Sequence, residues 1–248
     1  VQISAGSRHS CGLDAAGNAY CWGDNGSGQL GDGSTTQATS PVAVAGGLSF
    51  VQISAGEFHS CGLDAAGSAF CWGNNFYGQL GDGSTTQATS PVAVAGGLSF
   101  VQISAGSLHS CGLDAAGNAS CWGRNFEGQL GDGSTTQATS PVAVTGGLSF
   151  VQISAGSRHS CGLDAAGNAS CWGRNSNGQL GDGSTTQATS PVAVAGGLSF
   201  VQISAGSFHS CGLDAAGHAS CWGANFEGQL GDGSILQTSV PIPTVPYG

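Results

Sequence analysis

The chain repeats itself with a period of 50 residues: VQISAG opens at Val1, Val51, Val101, Val151 and Val201. Nothing else constrains the fold as strongly. A unit of this length is one supersecondary block that buries its faces only against its neighbours. The fifth unit departs from the others at its end, where SILQTSVPIPTVPYG replaces STTQATSPVAVAGGLSF. Helices are disfavoured throughout, because 45 of the 248 residues are Gly. Stretches without Gly, such as Ser34 to Ala45, contain Pro41. A long helix would have to cross residues costing about 1 kcal/mol (Gly) and about 3 kcal/mol (Pro) each.

Within the first unit, Val1 to Ser4 alternates and stops at Gly6, which predicts strand A. His9 to Asp14 reads as strand B, Asn18 to Trp22 as strand C, and Val42 to Val44 after Pro41 as a short strand D. Four short strands per unit predict an all-β fold: a β-propeller of five four-stranded antiparallel blades. Residues 1–248 then form one domain with repeats at 1–50, 51–100, 101–150, 151–200 and 201–248. The structural competitor is a β-solenoid, which needs polar caps, and Val1 opens directly on a strand. In the divergent tail Ile242 and Val245 stand near the place of strand D, and Pro241, Pro243 and Pro246 suit an edge strand. Whether five units close a ring alone or assemble with a second chain stays open. A chain that begins Val1-Gln2 rather than with Met reads as processed or excised.

Ala15-Ala16-Gly17 suits a three-residue hairpin loop with Gly in the left-handed region. That register pairs Asp14 with Asn18, Leu13 with Ala19, Gly12 with Tyr20 and Cys11 with Cys21, the last on a non-hydrogen-bonded rung where Cα atoms come closest. A disulfide fits there. The same pairing recurs as Cys61/Cys71, Cys111/Cys121, Cys161/Cys171 and Cys211/Cys221. A zinc site is the rival, since His9, Cys11 and Cys21 share a face, but no fourth ligand stands beside them. Free thiols are the third reading. Five disulfides imply an oxidising compartment, whether extracellular, periplasmic or at the cell surface. Asn25-Gly26-Ser27, Asn118-Ala119-Ser120 and Asn168-Ala169-Ser170 match the glycosylation sequon.

Several function classes are disfavoured. Four Arg and no Lys stand against fourteen acids, a net charge of −10. Nucleic acid and anionic membranes both call for a basic face. No apolar run is long enough for a membrane span. His9, Ser10 and Asp14 suggest a catalytic triad, yet neighbouring strand residues point to opposite faces, and the trio recurs in all five units. The invariant His is expected instead to bond a neighbouring backbone carbonyl. GDGS offers one carboxylate where calcium needs several oxygens, and GQLGDG lacks the Lys of a phosphate loop. The reading is therefore non-enzymatic, with no cofactor and no metal.

The run AGxxHSCGLDAAGNAxCWGxNxxGQLGDG resembles the repeat of the regulator of chromosome condensation family. Gly6, His9, Leu13, Gly17, Trp22, Gly23, Asn25, Gly28, Gln29, Leu30 and Gly31 carry the likeness, with equivalents in every unit. The resemblance implies a β-propeller used as a protein-binding scaffold. Family members include an exchange factor for a small GTPase, a plant ultraviolet-B photoreceptor and a secreted bacterial inhibitor of β-lactamase. Well-known members have about seven blades, whereas this chain has five units. Its cysteine pair is absent from the intracellular members, which points to a secreted bacterial-type variant.

Comparison of the units with one another singles out candidate binding residues. Through the first 34 positions they differ at seven places: positions 7, 8, 18, 20, 24, 26 and 27 and their counterparts. Strand A runs up to position 6, and strand C returns to position 23, so positions 7, 8, 24, 26 and 27 are expected on one rim, in the A–B and C–D loops. That rim carries Arg8, Asp24, Ser27, Glu57, Phe58, Asn74, Phe76, Tyr77, Leu108, Arg124, Phe126, Glu127, Arg158, Arg174, Asn177, Phe208, Phe226 and Glu227. Every Arg lies there, balanced by four acids, and Arg and aromatic residues dominate interface hot spots. Tyr20 and Phe70 read as packing variation between blades, and His218 as an exposed side chain. The expected function is recognition of a protein partner through this rim by a secreted or cell-surface scaffold. A structural spacer, a consensus-like array without ligand, surface drift after duplication, and inhibition of an extracellular enzyme are the alternatives.

Overall fold

A computed structural model describes residues 1–245. Among them there is no helix, and hence none long and apolar enough to cross a membrane. The strands form five four-stranded antiparallel sheets, the blades of a β-propeller. Blade 1 contains β1 (Gln2–Ala5), β2 (His9–Leu13), β3 (Ala19–Gly23) and β4 (Ala38–Ala43), and blade 2 contains β5 (Gln52–Ala55), β6 (His59–Leu63), β7 (Ala69–Gly73) and β8 (Ala88–Ala93). Blade 3 contains β9 (Gln102–Ala105), β10 (His109–Leu113), β11 (Ala119–Gly123) and β12 (Ala138–Ala143). Blade 4 contains β13 (Gln152–Ala155), β14 (His159–Leu163), β15 (Ala169–Gly173) and β16 (Ala188–Ala193). Blade 5 contains β17 (Gln202–Ala205), β18 (His209–Leu213), β19 (Ala219–Gly223) and β20 (Thr238–Pro243). Each sheet is a simple meander with its strands in chain order.

Two compact units divide the chain. The first comprises Val1–Ala116, Ser120–Arg124 and Gln137–Val142; the second comprises Gly117–Ala119, Asn125–Thr136 and the chain from Ala143 onward. In the first unit, blade 2 lays Phe50, Ile53 and Trp72 over Cys11, Leu13, Ala19 and Cys21 of blade 1. In the second unit, blade 5 lays Phe200, Ile203 and Trp222 over Cys161, Leu163, Ala169 and Cys171 of blade 4 in the same way. The period-2 alternation of each strand thus supplies two apolar faces, one for the blade before and one for the blade after.

The β2–β3 hairpin has the register read from the turn, with Leu13 opposite Ala19, Gly12 opposite Tyr20 and Cys11 opposite Cys21. Gly17 lies at φ +83°, and the Asp14 carboxylate accepts from the backbone N–H of Ala16 (2.8 Å) and Asn18 (2.9 Å). Disulfides join all five predicted pairs, Cys11–Cys21, Cys61–Cys71, Cys111–Cys121, Cys161–Cys171 and Cys211–Cys221. With every sulfur committed, the zinc and free-thiol readings fall away.

Strand D is longer than its sequence signal: β4 begins at Ala38, ahead of Pro41. The β3–β4 register shifts between Cys21 and Gly23, so Gly23 still finds Ala38 across an irregularity at Trp22. Gly23 sits at φ +114°, and a Cβ there would lie 2.5 Å from the Arg8 carbonyl oxygen. Such bulges accommodate one extra residue and need Gly where the backbone turns left-handed. Pro41 is tolerated because strand D is an edge strand. In blade 5, Pro241 and Pro243 lie within β20 and Ile242 pairs with Cys221. Val245 follows the strand, and Pro246 lies outside the described residues.

Candidate functional site

In each blade the A–B and C–D loops meet at one rim, tied by a backbone bond between positions 24 and 8. The N–H of Asp24, Asn74, Arg124, Arg174 and Ala224 donates at 2.9 Å to the carbonyl of Arg8, Phe58, Leu108, Arg158 and Phe208 respectively. The close approach depends on the Cβ-free position 23 described above. The invariant Asp-Ala-Ala-Gly turn lies at the other end of the same hairpin.

Invariant residues underneath hold the loop. Asn25 is fully buried; its Oδ1 accepts from Leu30 N (3.0 Å). Its Nδ2 faces Asp32 Oδ1 (3.2 Å), Ser34 Oγ (3.3 Å) and the carbonyls of Ser34 (3.2 Å) and Thr36 (3.1 Å). The GDGS carboxylate also takes Ser34 N (3.0 Å) and the Ser34 hydroxyl (3.0 Å). It therefore serves the loop's own fold, as a turn-closing group. Buried Asn25 has its amide engaged, so the Asn25-Gly26-Ser27 sequon offers no free acceptor.

Gln29 braces the variable residues directly. Its Oε1 accepts from Ser27 N (2.8 Å) and its Nε2 donates to Asp24 Oδ2 (3.0 Å). In blade 2, Gln79 makes the same bonds to Tyr77 N (2.9 Å) and Asn74 Oδ1 (2.7 Å). Blade 4 has Arg174 at that place, which has no acceptor atom, and Gln179 Nε2 is buried with no partner. A buried donor left unmade costs about 1–3 kcal/mol, so this Arg stands at a structural cost.

The rim residues differ in exposure. Phe76, Phe126 and Phe226, all at position 26, are 71%, 52% and 63% exposed. Arg8, Phe208 and Glu227 are exposed too. Asp24, Ser27, Glu57, Phe58, Asn74, Tyr77, Leu108, Arg124, Glu127, Arg158, Arg174 and Asn177 are half-buried. Neighbouring blades bring several together. Arg124 lies over the Tyr77 ring (5.8 Å to the centroid), itself edge-on to Phe76 (4.9 Å). Arg158 pairs with Glu127 at 3.5 Å, Arg174 lies over Phe208 (5.5 Å), and Asn177 Nδ2 donates to Gln237 (3.2 Å). No ion pair or ring contact engages Arg8, Phe226 or Glu227 among the described residues. Away from the rim, Phe70 packs edge-on to Phe50 (6.2 Å), while Tyr20 is exposed and His218 pairs with Asp214 (3.1 Å).

One constellation went unread in the sequence. His9 does not bond a backbone carbonyl as expected; its Nε2 faces Ser60 Oγ of the next blade at 2.7 Å. The Ser60 hydroxyl donates to the Gln29 carbonyl (2.8 Å), which also receives the Trp72 indole N–H (3.0 Å). His59–Ser110 (2.8 Å) and His159–Ser210 (2.8 Å) repeat the contact. Since the serine hydrogen is committed to a carbonyl, the imidazole must donate from Nε2, leaving Nδ1 bare. Nδ1 of His9, His59 and His159 is buried without a partner. Burial pushes His59 and His159 down to about 3, each helped by a neighbouring His, and His9 to about 4, where Asp24 offsets part of the effect. His59, Ser60, Ser110 and His159 are fully buried. The pair stitches blade to blade and lies buried between them.

Strands in meander blades, a disulfide per hairpin and lateral packing of identical faces define the class: a repeat-built β-propeller. The RCC1-like domain model matches residues 1–246, and the chain belongs to that family. No curated protein matches it. Among solved structures it is similar to human WBSCR16 (TM-score 0.88, 23% identity, 98% of this chain and 66% of that one). It is also similar to Prp20p from Saccharomyces cerevisiae (TM-score 0.86, 25% identity, 100% and 63%), a protein studied for binding to Gsp1p and histones. The ectodomain of the Physcomitrella patens receptor kinase CR4 matches more loosely (TM-score 0.57, 27% identity, 89% and 49%). The chain thus spans 66% or less of the length of these relatives.

Proposed function

We propose that the chain is a non-enzymatic scaffold, secreted or at the cell surface, that recognises a protein partner through the variable rim of its blades. The observation carrying this reading is the set of exposed phenylalanines at position 26, on loops whose supports are invariant. Exposed aromatics flanked by Arg and Glu have the composition of an interaction patch. The uncompensated Gln179 amide adds support, because drift on a tolerant surface gives no reason to keep Arg174 at that cost. Prp20p binds other proteins from the same fold, and CR4 carries its version outside the cell. The disulfides favour an oxidising compartment here.

The test is retention of extracellular proteins by the immobilised chain, compared with a Phe76→Ala, Phe126→Ala, Phe226→Ala triple variant. Proteins held by the wild type are lost by at least tenfold in the variant, whose melting temperature stays within a few degrees. Equal retention by both would overturn the assignment of the rim.

A further inference from the structure

The side chain at position 24 meets the support beneath the rim, and its chemistry reverses along the chain. In blades 1 and 2 it supplies an acceptor: Asp24 Oδ2 takes Gln29 Nε2 at 3.0 Å, and Asn74 Oδ1 takes Gln79 Nε2 at 2.7 Å. In blade 4 the residue is Arg174, which has donors only. Gln179 keeps the orientation of its counterparts, because its Oε1 still accepts from Asn177 N (2.9 Å). Its Nε2 is therefore turned towards position 174, fully buried and without a partner. Blade 3 makes the same exchange in sequence, Arg124 standing where blade 1 has Asp24, and Gln129 Nε2 is likewise buried without a partner.

The surroundings of Arg174 favour a negative guest. The side chain is half-buried, lies over the Phe208 ring (5.5 Å), and its Nε donates to Ser176 Oγ (2.8 Å), an exposed residue. On the adjoining loops Arg158 accepts Arg174 N at its carbonyl (2.9 Å), and the Arg158 guanidinium pairs with Glu127 at 3.5 Å. Those two charges cancel, and the positive charge of Arg174 remains.

We propose that this corner of the blade 4 rim binds a carboxylate of the protein partner, an Asp or Glu side chain in an acidic segment. The inference rests on the rim reading and names the chemistry of the partner. The seated carboxylate takes the place that the Asp24 carboxylate holds in blade 1. One oxygen accepts from Gln179 Nε2, and the other accepts from the Arg174 guanidinium. Because Gln179 is fully buried, Arg174 shifts outward to admit the group and leaves the Ser176 hydroxyl. Charge-assisted bonds of this kind are about twice as strong as neutral ones. A buried donor that is unmade before binding and made after it adds to the affinity. Blades 1 and 2 show that this amide takes a carboxylate or an amide oxygen, and Arg174 selects the carboxylate.

Two fluorescein-labelled peptides test this by anisotropy at low salt: one alternating Glu and Gly, the other with Gln in place of Glu. The wild type binds the Glu peptide at least tenfold more tightly than the Gln peptide. Arg174→Asn, which installs the blade 2 residue, weakens binding of the Glu peptide at least tenfold. Its melting temperature rises by about 2 °C, because Gln179 regains a partner. An Arg that merely packs on Phe208 would give the reverse, a lower melting temperature with binding unchanged. The Gln179 side-chain amide resonance shifts with the Glu peptide in the wild type and stays still in the variant. An equal shift with sodium acetate at the same carboxylate concentration would overturn the assignment to a partner segment. Equal affinity for the two peptides, or wild-type binding by Arg174→Asn, would overturn this inference alone, since retention by the phenylalanine variant is read independently.

Discussion

At pH 4.5 the protein loses most of the stability it has at pH 7. The buried His9, His59 and His159 titrate near 6.5 when unfolded but are held down to about 4, 3 and 3 when folded. Below pH 6.5 the unfolded chain therefore binds protons that the folded chain refuses. Stability is full above that value and falls as the pH drops towards the folded pKa values, by about 1.4 kcal/mol per pH unit for each imidazole. Two units below the unfolded value, these three residues together remove about 8 kcal/mol, against a total of about 5–15 kcal/mol for a typical protein. The physical cause is burial, which strips water from the charged ring, and the bare Nδ1 offers no relief, since protonating it creates a buried N–H with no acceptor. The carboxylates of Asp14 and Asp32, held low by hydrogen bonds within their loops, extend the loss at still lower pH. Urea titrations between pH 7 and 4.5 check this. A flat profile above pH 5 would contradict it, and His159→Gln lowers the slope by one imidazole's share.

Full reduction of the five disulfides unfolds the chain at 37 °C. Closing a loop of about eleven residues contributes about 2.8 kcal/mol in the chain-entropy model. Five such loops sum to about 14 kcal/mol at most, as large as the stability of an ordinary protein. Three bridges also form part of a blade junction: Cys11–Cys21 packs under Phe50, Ile53 and Trp72, Cys61–Cys71 under Phe100, Ile103 and Trp122, and Cys161–Cys171 under Phe200, Ile203 and Trp222. Burial sets the order of loss: Cys211 alone among the ten is half-buried, so Cys211–Cys221 is reduced first. Mass spectrometry of partly reduced, alkylated protein reads that order directly. Random reduction, or a fully reduced chain with its native melting curve, would contradict the account.

The sequence made the hairpin legible because everything needed was local. One three-residue turn with Gly17 fixed the register, and the register put Cys11 against Cys21. The Val42–Val44 signal falls short of strand D because the irregularity at Trp22 and the positive φ of Gly23 shift the pairing, and no residue spacing announces that. The His9–Ser60 bond was missed for a different reason. His9 and Ser10 do point to opposite faces of their strand and do not meet within one blade. In stacked identical blades, however, opposite faces bring His of one blade to Ser of the next. The partner lies 51 residues away, one period plus one. Offsets of one period are where a repeat protein hides its long-range contacts.

The rim positions were legible from the differences among units, since the invariant Asn25, Gln29 and Gly23 mark the support and the changing residues mark what it carries. The cost of that variation was not. It became visible only with Gln79 bonded to Asn74 and Gln179 left without a partner beside Arg174.

The central claim is that framework and rim are separable, and one chimera tests it: the blade 1 residues Ser7, Arg8, Asp24, Gly26 and Ser27 placed at the matching positions of all five blades. Every blade then has the Asp24-type acceptor for its Gln, and every rim phenylalanine is gone. The account predicts a folded chain with all five disulfides, a melting temperature equal to or above that of the wild type, and no retention of the wild type's partners. Collapse of the melting temperature would show that the rim residues are packing, and undiminished retention would show that recognition lies elsewhere.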